Sequence, residues 1–220
     1  MLRQTQAWSA IFMRLIDGIR HKGKPFEIPD CSRDDLPELF LQLGFKVGVE
    51  VGVFRGDYTE VLAESGLKIY GVDPWAVYKG YSHDGRQGRC DKLYRMSQEK
   101  LAPYPNVTLI KEMSMDAVNR FEDNSIDFVY IDGNHRFKYI AEDIYEWSAK
   151  VRKGGIICGH DYAYFKHRYY GGGCQVHEIV DAFAYSYDLD YWILGRRKVL
   201  PNEKRDRMRS WLFIKTWDNC

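Results

Sequence analysis

From about residue 45 onward, short continuous apolar runs alternate with stretches whose apolar positions recur every three or four residues. An unbroken apolar run bounded by turn residues marks a strand buried on both faces; the 3.6-residue period marks a helix packed on one side. The runs KVGVEVG (46–52), LKIYGVD (67–73), VTLIK (107–111), SIDFVYID (125–132) and GGIICGHD (154–161) therefore predict five strands. Residues 57–65, 90–101, 115–121, 136–151 and 175–185 predict helices, with Phe137, Ile140, Ile144 and Trp147 on one face of the fourth. Strands alternating with helices imply a parallel sheet covered on both faces. Further on the pattern changes. LDYWILG (189–195) and RSWLFIKTW (209–217) are strands with no helical period between them, which predicts antiparallel pairing. The expected fold is α/β, a doubly wound seven-stranded sheet, mostly parallel, with one antiparallel strand near the C-terminus.

Upstream, residues 7–20 place Ala7, Trp8, Ile11, Phe12, Leu15, Ile16 and Ile19 on one helical face, opposite Arg14, Asp17 and Arg20. That face suits an arm packed on the domain, or on a second copy in a homodimer, better than a membrane surface. The stretch HKGKPFEIPDCS (21–32) holds two prolines and a glycine and reads as a linker. Asp34 or Asp35 then caps a short helix through Leu43, ended by Gly44. The expected division is an arm and linker at 1–33 and a functional domain at 34–220.

Composition removes several alternatives. A formal net charge of +1 over 220 residues argues against binding nucleic acid by bulk electrostatics. The five cysteines (Cys31, Cys90, Cys158, Cys174, Cys220) are odd in number and form no CxxC pair, so neither a zinc ribbon nor a disulfide scaffold is indicated. No apolar run is long enough for a membrane span and no signal-peptide pattern opens the chain, so a reducing cytoplasm is expected. Sixteen tyrosines suggest a site that stacks rings or sugars, or else a large aromatic core.

The segment Glu50-Val-Gly52-Val53-Phe54-Arg-Gly56-Asp57-Tyr58-Thr59 joins the first strand to its helix. Glycines four apart let backbone approach a ligand closely. The next strand ends in Asp73, where a doubly wound fold places an acid for ribose hydroxyls. A dinucleotide would need the G-x-G-x-x-G spacing, but Phe54 stands where the central glycine belongs. Asp57, at the expected helix N-cap, and Glu50 would also repel a pyrophosphate. A cofactor carrying an amine and a sulfonium, S-adenosylmethionine, suits such carboxylates. A tight turn with no ligand is the plain structural reading.

With these segments in order, the chain resembles class I S-adenosylmethionine-dependent methyltransferases, which have a Rossmann-like fold. EVGVFRGDYT resembles the first motif, YGVDPW the second, and SIDFVYIDGNH with GGIICGHDY the later strand ends. The likeness spans about residues 45–217, and IDGNH and GHDY look closest to small-molecule O-methyltransferases related to macrocin-type sugar methyltransferases. The resemblance implies that Glu50, Gly52 and Gly56 line the methionine end of the cofactor and that Val53, Phe54, Tyr58 and Thr59 also bind it. It further implies Asp73 at the ribose, Pro74 and Trp75 bordering the adenine, Ser114 and Met115 at the adenine edge, and Asp132 among the cofactor-binding residues. Trp75 and Met115 as plain core residues remain alternatives.

Methyl transfer needs an aligned acceptor, a proton sink when the acceptor is a hydroxyl, and exclusion of water. Asp132 and His135 follow one middle strand, and His160 and Asp161 end the next. In one mechanism Asp132, Asp161 and His160 hold a divalent cation, Mg or Mn, that acidifies the acceptor. The macrocin-type relatives imply this but carry paired acids where His160 stands, which favours Mn or a softer metal over Mg. In the other, His160 or His135 is the general base without metal. A carboxylate–histidine pair that only ties strand ends together is the third reading.

Tyr78, Tyr81, His83 and Arg86 form one candidate acceptor loop; Tyr164, Phe165, His167, Arg168, Tyr169 and Tyr170, before Gly171–Gly173, form another. Together they suit a sugar, phenol or other natural product as the small-molecule acceptor. Seven cations between Arg196 and Arg209 read as a solvated hairpin turn rather than a nucleic-acid patch. An RNA or protein methyltransferase, and a catalytically silent cofactor-binding scaffold, are the alternatives.

Overall fold

The apolar runs assemble into one sheet in a computed structural model that describes residues 15–78, 86–163 and 174–218. The strands are β1 (Phe26–Ile28), β2 (Val47–Val51), β3 (Lys68–Val72), β4 (Val107–Ile110), β5 (Ile126–Ile131), β6 (Val151–Tyr162), β7 (Trp192–Leu194) and β8 (Arg209–Ile214). The helices are α1 (Leu36–Gln42), α2 (Asp57–Glu64), α3 (Gln87–Leu101), α4 (Ser114–Ala117), α5 (Phe137–Lys150) and α6 (Val176–Ser186). Their order across the sheet is β1-β7-β8-β6-β5-β2-β3-β4. All neighbours pair parallel except β8, which runs antiparallel to both β6 and β7. The doubly wound fold with one antiparallel strand is therefore as expected, with eight strands in place of seven.

The eighth strand comes from the segment expected to be a linker. Phe26–Ile28 pairs with Trp192–Leu194, so the sheet begins upstream of the boundary expected at residue 34. Ile28, Cys31, Leu36, Leu39 and Phe40 share a core cluster with Trp192, Leu194 and Leu212, which explains why so short an edge strand persists. Of the expected arm, residues 15–18 are helical, while residues 1–14 lie outside the described residues.

Side-chain alternation divides the core. Along β5, Val129 and Ile131 enter one cluster beneath α5 and α6, and Phe128 and Tyr130 enter the other against α1 and α2. Ile140, Ile144 and Trp147 are buried along α5 as predicted, but Phe137, at its first residue, is exposed. Asp143 is a carboxyl on that same buried face.

Asp127, at the start of β5, ties three segments together. Its Oδ2 accepts the Lys46 and Val47 amides at 2.7 and 2.9 Å, and its Oδ1 accepts Arg152 Nε at 2.6 Å. Burial works against its charge, but the Lys46 amide, Arg152 and the Val47 amide outweigh burial and hold its pKa below the usual carboxylate range. A lowered folded pKa means the stabilisation is complete above the unfolded value and fades as pH falls through the folded one. Asp127→Asn should therefore lose about 1–3 kcal/mol at neutral pH. The gap from wild type should narrow below about pH 3, as denaturant unfolding at both pH values will read.

Three of the seven cations of the basic segment pair with carboxylates within the fold. Arg209 pairs with Glu27, Lys204 Nζ with Asp35 at 2.9 Å, and Arg196 with Glu203 at 3.0 Å. The Lys204 amide donates to Asp30 and the Arg33 amide to Asp206, both at 2.8 Å. These bonds fasten the turn to residues 27–35 and set Arg33 at the rim of the cleft described next.

Candidate active site

The carboxyl ends of β2, β3, β5 and β6 open on a cleft of 990 Å³. That size lies at the upper end of small-ligand pockets, and strand carboxyl ends are where open α/β sheets bind ligands. The turn after β2 uses left-handed backbone at every second residue, with φ of 98° at Gly52, 56° at Phe54 and 86° at Gly56. Gly56, not Asp57, is the N-cap of α2. Asp57 pairs with Arg55 and with Lys100 and also lines the cleft.

Phe54 thus takes a conformation that glycine would adopt at lower cost. Its backbone is held on both sides: its amide donates to Asp73 Oδ2 at 2.9 Å, and Trp75 Nε1 donates to its carbonyl at 2.7 Å. Asp73 Oδ1 accepts the Trp75 amide at 2.8 Å, so one carboxylate closes both turns. Burial raises the Asp73 pKa to about 6 against the lowering effect of these amides.

Gly52 is confined as well as left-handed. A Cβ there would lie 2.2 Å from the Asp132 carbonyl oxygen. Gly52→Ala should strain the backbone and push β2 from the end of β5, at a cost of about 2 kcal/mol or more. In thermal unfolding this corresponds to a Tm roughly 4–8 °C lower.

Beneath the turn, Glu50 is 1% exposed and accepts the Thr59 hydroxyl at 2.5 Å. Burial pushes its pKa up to about 8, only partly offset by that hydrogen bond. Tyr58 packs on Tyr130 with ring centroids 4.3 Å apart, and its hydroxyl donates to the Arg33 carbonyl at 2.8 Å. The Arg33 guanidinium lies over the Tyr58 ring at 4.8 Å.

The acid–histidine cluster forms where β5 and β6 end. His135 Nε2 lies 3.1 Å from Asp161 Oδ2 and 3.5 Å from Asp132 Oδ1, yet neither oxygen lies in line for a hydrogen bond, and the atom is sealed from solvent. Burial lowers the His135 pKa, but the contact with Asp132 and the charges of Asp161 and Asp132 outweigh it, and the net shift is upward. The other oxygen of Asp132 faces Arg33 Nη1 at 3.3 Å and His160 Nδ1 at 3.9 Å. Asp161, at φ 58°, is a non-glycine residue in left-handed backbone, a strain that concentrates at functional sites. Gln175 anchors the His135 segment, its amide donating to the His135 carbonyl and its Oε1 accepting the Phe137 amide, both at 2.8 Å.

Asp132, His135 and Asp161 each offer one ligand atom within 4.8 Å of the other two. A buried imidazole nitrogen facing two carboxylates without an aligned hydrogen bond fits a divalent cation, and a mixed N/O set suits manganese or a softer metal better than magnesium. The histidine of this set is His135, whereas the sequence pointed to His160. His160 does not line the cleft; it stands behind, with Nδ1 3.4 Å from Asp161 Oδ2.

Of the other residues named from sequence, Glu50, Gly52, Val53, Phe54, Tyr58, Asp73, Pro74, Ser114, Met115 and Tyr78 line the cleft. Gly56, Thr59 and Trp75 do not. Trp75, in left-handed backbone (φ 41°), is buried against Tyr94 and acts on the turn through its indole N–H. Tyr81, His83 and Tyr164–Gly173 lie outside the described residues. Arg33, Asn134, Tyr139, Asp143 and Met208 line the cleft without having been foreseen.

Residues 49–162, just over half of the chain, match a family described as "Methyltransferase domain". The chain belongs to this methyltransferase family. The match runs from β2 through β6 and so contains the turn, Asp73 and the acid–histidine cluster. Solved methyltransferases share the fold. The O-methyltransferase from Bacillus cereus, determined with S-adenosylhomocysteine (SAH), superposes with a TM-score of 0.59 at 15% identity, covering 84% of this chain and 83% of that one. TomG from Streptomyces achromogenes, an O-methyltransferase of tomaymycin synthesis determined with S-adenosylmethionine (SAM), gives 0.56 at 12% identity, covering 83% and 78%. A curated relative, the uncharacterized protein y4gI of Sinorhizobium fredii, is 24% identical over 119 residues. That match takes in 53% of this chain and only 12% of the relative's length. Among the described residues, no helix is long and apolar enough to cross a membrane.

Proposed function

We propose that this methyltransferase domain transfers the methyl group of S-adenosylmethionine to a hydroxyl oxygen of a small-molecule acceptor, a sugar, phenol or other natural product. The observation that carries the reading is one cleft lined both by Asp73 with its left-handed turn and by the Asp132–His135–Asp161 cluster. Family membership and the fold shared with methyltransferases solved with SAM or SAH support it.

When bound, SAM supplies an electrophilic methyl on a sulfonium, and a divalent cation supplies a Lewis acid for the acceptor hydroxyl. Asp73 accepts hydrogen bonds from the ribose, and Glu50 offers its carboxyl to the methionine amine, which favours its ionised form. Asp132, His135 and Asp161 hold the cation. Arg33 and His160 hold the outer oxygen of Asp132, leaving its inner oxygen toward His135. Without metal, His135 is the group placed to take the acceptor proton, oriented by the two carboxylates. Leu15, Ile16 and Ile19 pack in this chain's own core. The cytoplasm as setting, the apolar positions Ala7, Trp8, Ile11 and Phe12 as a contact between two copies, and the absence of a nucleic-acid partner complete the reading. The ion pairs that Arg196, Lys204 and Arg209 make within the fold support the last.

The test supplies SAM with a labelled methyl group to the protein with glycosides, phenols, total RNA and unrelated proteins as acceptors, with and without Mn²⁺. The reading expects label on a small-molecule oxygen. Label on RNA or protein side chains alone would overturn the acceptor assignment.

A further inference from the structure

Arg33 lines the cleft from outside residues 49–162, so the family match assigns it no role. Its backbone is held on both sides: its amide donates to Asp206 Oδ2 and its carbonyl accepts the Tyr58 hydroxyl, both at 2.8 Å. Its guanidinium lies over the Tyr58 ring, 4.8 Å from the centroid. The side chain is 27% exposed, so the head group is neither sealed in the core nor loose in solvent. A guanidinium carries five N–H donors in a planar fork. Among the described residues two acceptors meet this one: Asp132 Oδ2, 3.3 Å from Nη1, and the Tyr130 hydroxyl. The first contact is longer than the roughly 2.7–2.9 Å of a tight charge-assisted bond. Tyr130 also shares its hydroxyl with Ser210 at 3.3 Å. The contact with Asp132 therefore uses a minority of what the fork offers. A lysine would neutralise Asp132 as well, whereas a fork beside a ligand cleft suits a second, planar acceptor.

Asp132 links this group to the chemistry. One of its oxygens faces Arg33 and the other faces His135 Nε2 at 3.5 Å, so a single carboxylate separates the guanidinium from the acid–histidine cluster. An acceptor that presents its hydroxyl to that cluster brings a neighbouring substituent to Arg33. Met208, two residues after Asp206, also lines the cleft and offers apolar surface to the body of a ring. We propose that Arg33 binds a carboxylate of the acceptor, so that the substrates are hydroxy acids: phenols or sugars with a carboxylate near the hydroxyl to be methylated. The fork matches a carboxylate with two parallel N–H···O bonds. A dianionic phosphate fits less well, because Asp132 stands at the same guanidinium and repels a second charge. This role of Arg33 rests on the methyl transfer proposed above and adds the charge of the acceptor to it. Arg33 is a specificity-determining residue, while its contact with Asp132 serves every acceptor alike.

Calorimetry on the SAH-loaded protein tests it with matched pairs of acceptors: 3,4-dihydroxybenzoate against its methyl ester, and glucuronate against glucose. Each neutral partner keeps the ring and its hydroxyls and lacks the charge. Wild type should bind the acid of at least one pair about tenfold to a hundredfold more tightly than its partner, the value of hydrogen bonding to a charged group. The preference should hold with and without Mn²⁺, since Arg33 is not a ligand. Arg33→Gln should bring the ratio within about threefold, the size of an ordinary uncharged contact. Arg33→Lys keeps the charge without the fork; it should fall between the two, and it serves if the glutamine variant does not fold. The ratio is the informative quantity, because a loss through Asp132 weakens both members alike and cancels. Label transfer from SAM should show the same preference in KM rather than in kcat. Equal binding of acid and neutral partner by wild type, or binding of neither acid, would overturn this role. So would an Arg33 variant that weakens both members alike, the mark of a group that only holds Asp132. Label on neutral acceptors alone would also overturn it and leave the proposed methyl transfer standing. Failure of folded wild type to bind SAH would instead overturn the methyl transfer, and this role with it.

Discussion

Replacing Asp73 with alanine is expected to weaken binding of S-adenosylhomocysteine by at least about a hundredfold, because two hydrogen bonds to a charged acceptor are lost together. The carboxylate acts twice. Toward the ligand it presents acceptors to the ribose; toward the protein it holds the Phe54 and Trp75 amides. Without it, Phe54 loses the bond that offsets its left-handed backbone, and the turn can relax out of the cleft. Asp73→Asn keeps one acceptor oxygen and should lose about tenfold, the value of a single such bond. Since burial raises the Asp73 pKa to about 6, the carboxylate contribution is present above that value and declines as pH falls through it. That part of the pH dependence should vanish in Asp73→Asn. Calorimetry on variants with native circular dichroism decides the matter, and a loss below about fivefold for alanine would remove Asp73 from the ribose site, one hydrogen bond to a charged group being worth more than that.

The second large effect concerns metal. Asp161→Asn should abolish Mn²⁺ binding, read by electron paramagnetic resonance, while leaving SAH affinity within about threefold of wild type, the scale of an uncharged contact. Asparagine is the informative substitution because it tolerates left-handed backbone, as the φ of 58° requires, and removes only the charge. His135→Ala should have the same effect through loss of the nitrogen ligand. His160→Ala should weaken Mn²⁺ by about ten- to a hundredfold, as expected of a residue that orients ligands rather than ligating. Equal losses from His160→Ala and His135→Ala would restore His160 to the ligand set. Undiminished Mn²⁺ binding by Asp161→Asn would remove the cluster from metal binding and leave His135 as a base without metal.

What could be read from the sequence follows from periodicity. The middle strands are unbroken apolar runs, so their number, direction and order of appearance were legible, as was the glycine turn that must follow the first of them. The edge strand β1 was not. Three residues beside Pro25 carry no pattern of their own, and their partner Trp192–Leu194 lies more than 160 positions away. The choice between His135 and His160 turns on the local backbone at the end of β6. The strand is irregular there, its register shifting between Gly159 and Tyr162 with Asp161 in left-handed backbone, so Asp161 lines the cleft and His160 does not. Sequence names both histidines without saying which faces inward. Arg33 reaches Asp132 because the turn before β8 fastens residues 27–35 in place, a contact between distant segments that no local pattern announces. Asp143 did leave a signal: an acid three residues after Ile140 and four before Trp147 interrupts an apolar helical face.

Titrating folded wild-type protein with S-adenosylhomocysteine tests the central claim most directly, the claim being that the cleft at the ends of β2, β3 and β5 is built for this nucleoside. The account predicts one saturable site per chain and a Tm that rises with ligand concentration, as binding to the native state alone requires. A folded protein that gives neither heat of binding nor any rise in Tm at millimolar ligand would contradict it, ~1 mM being a Kd weaker than any cofactor site of this size should show.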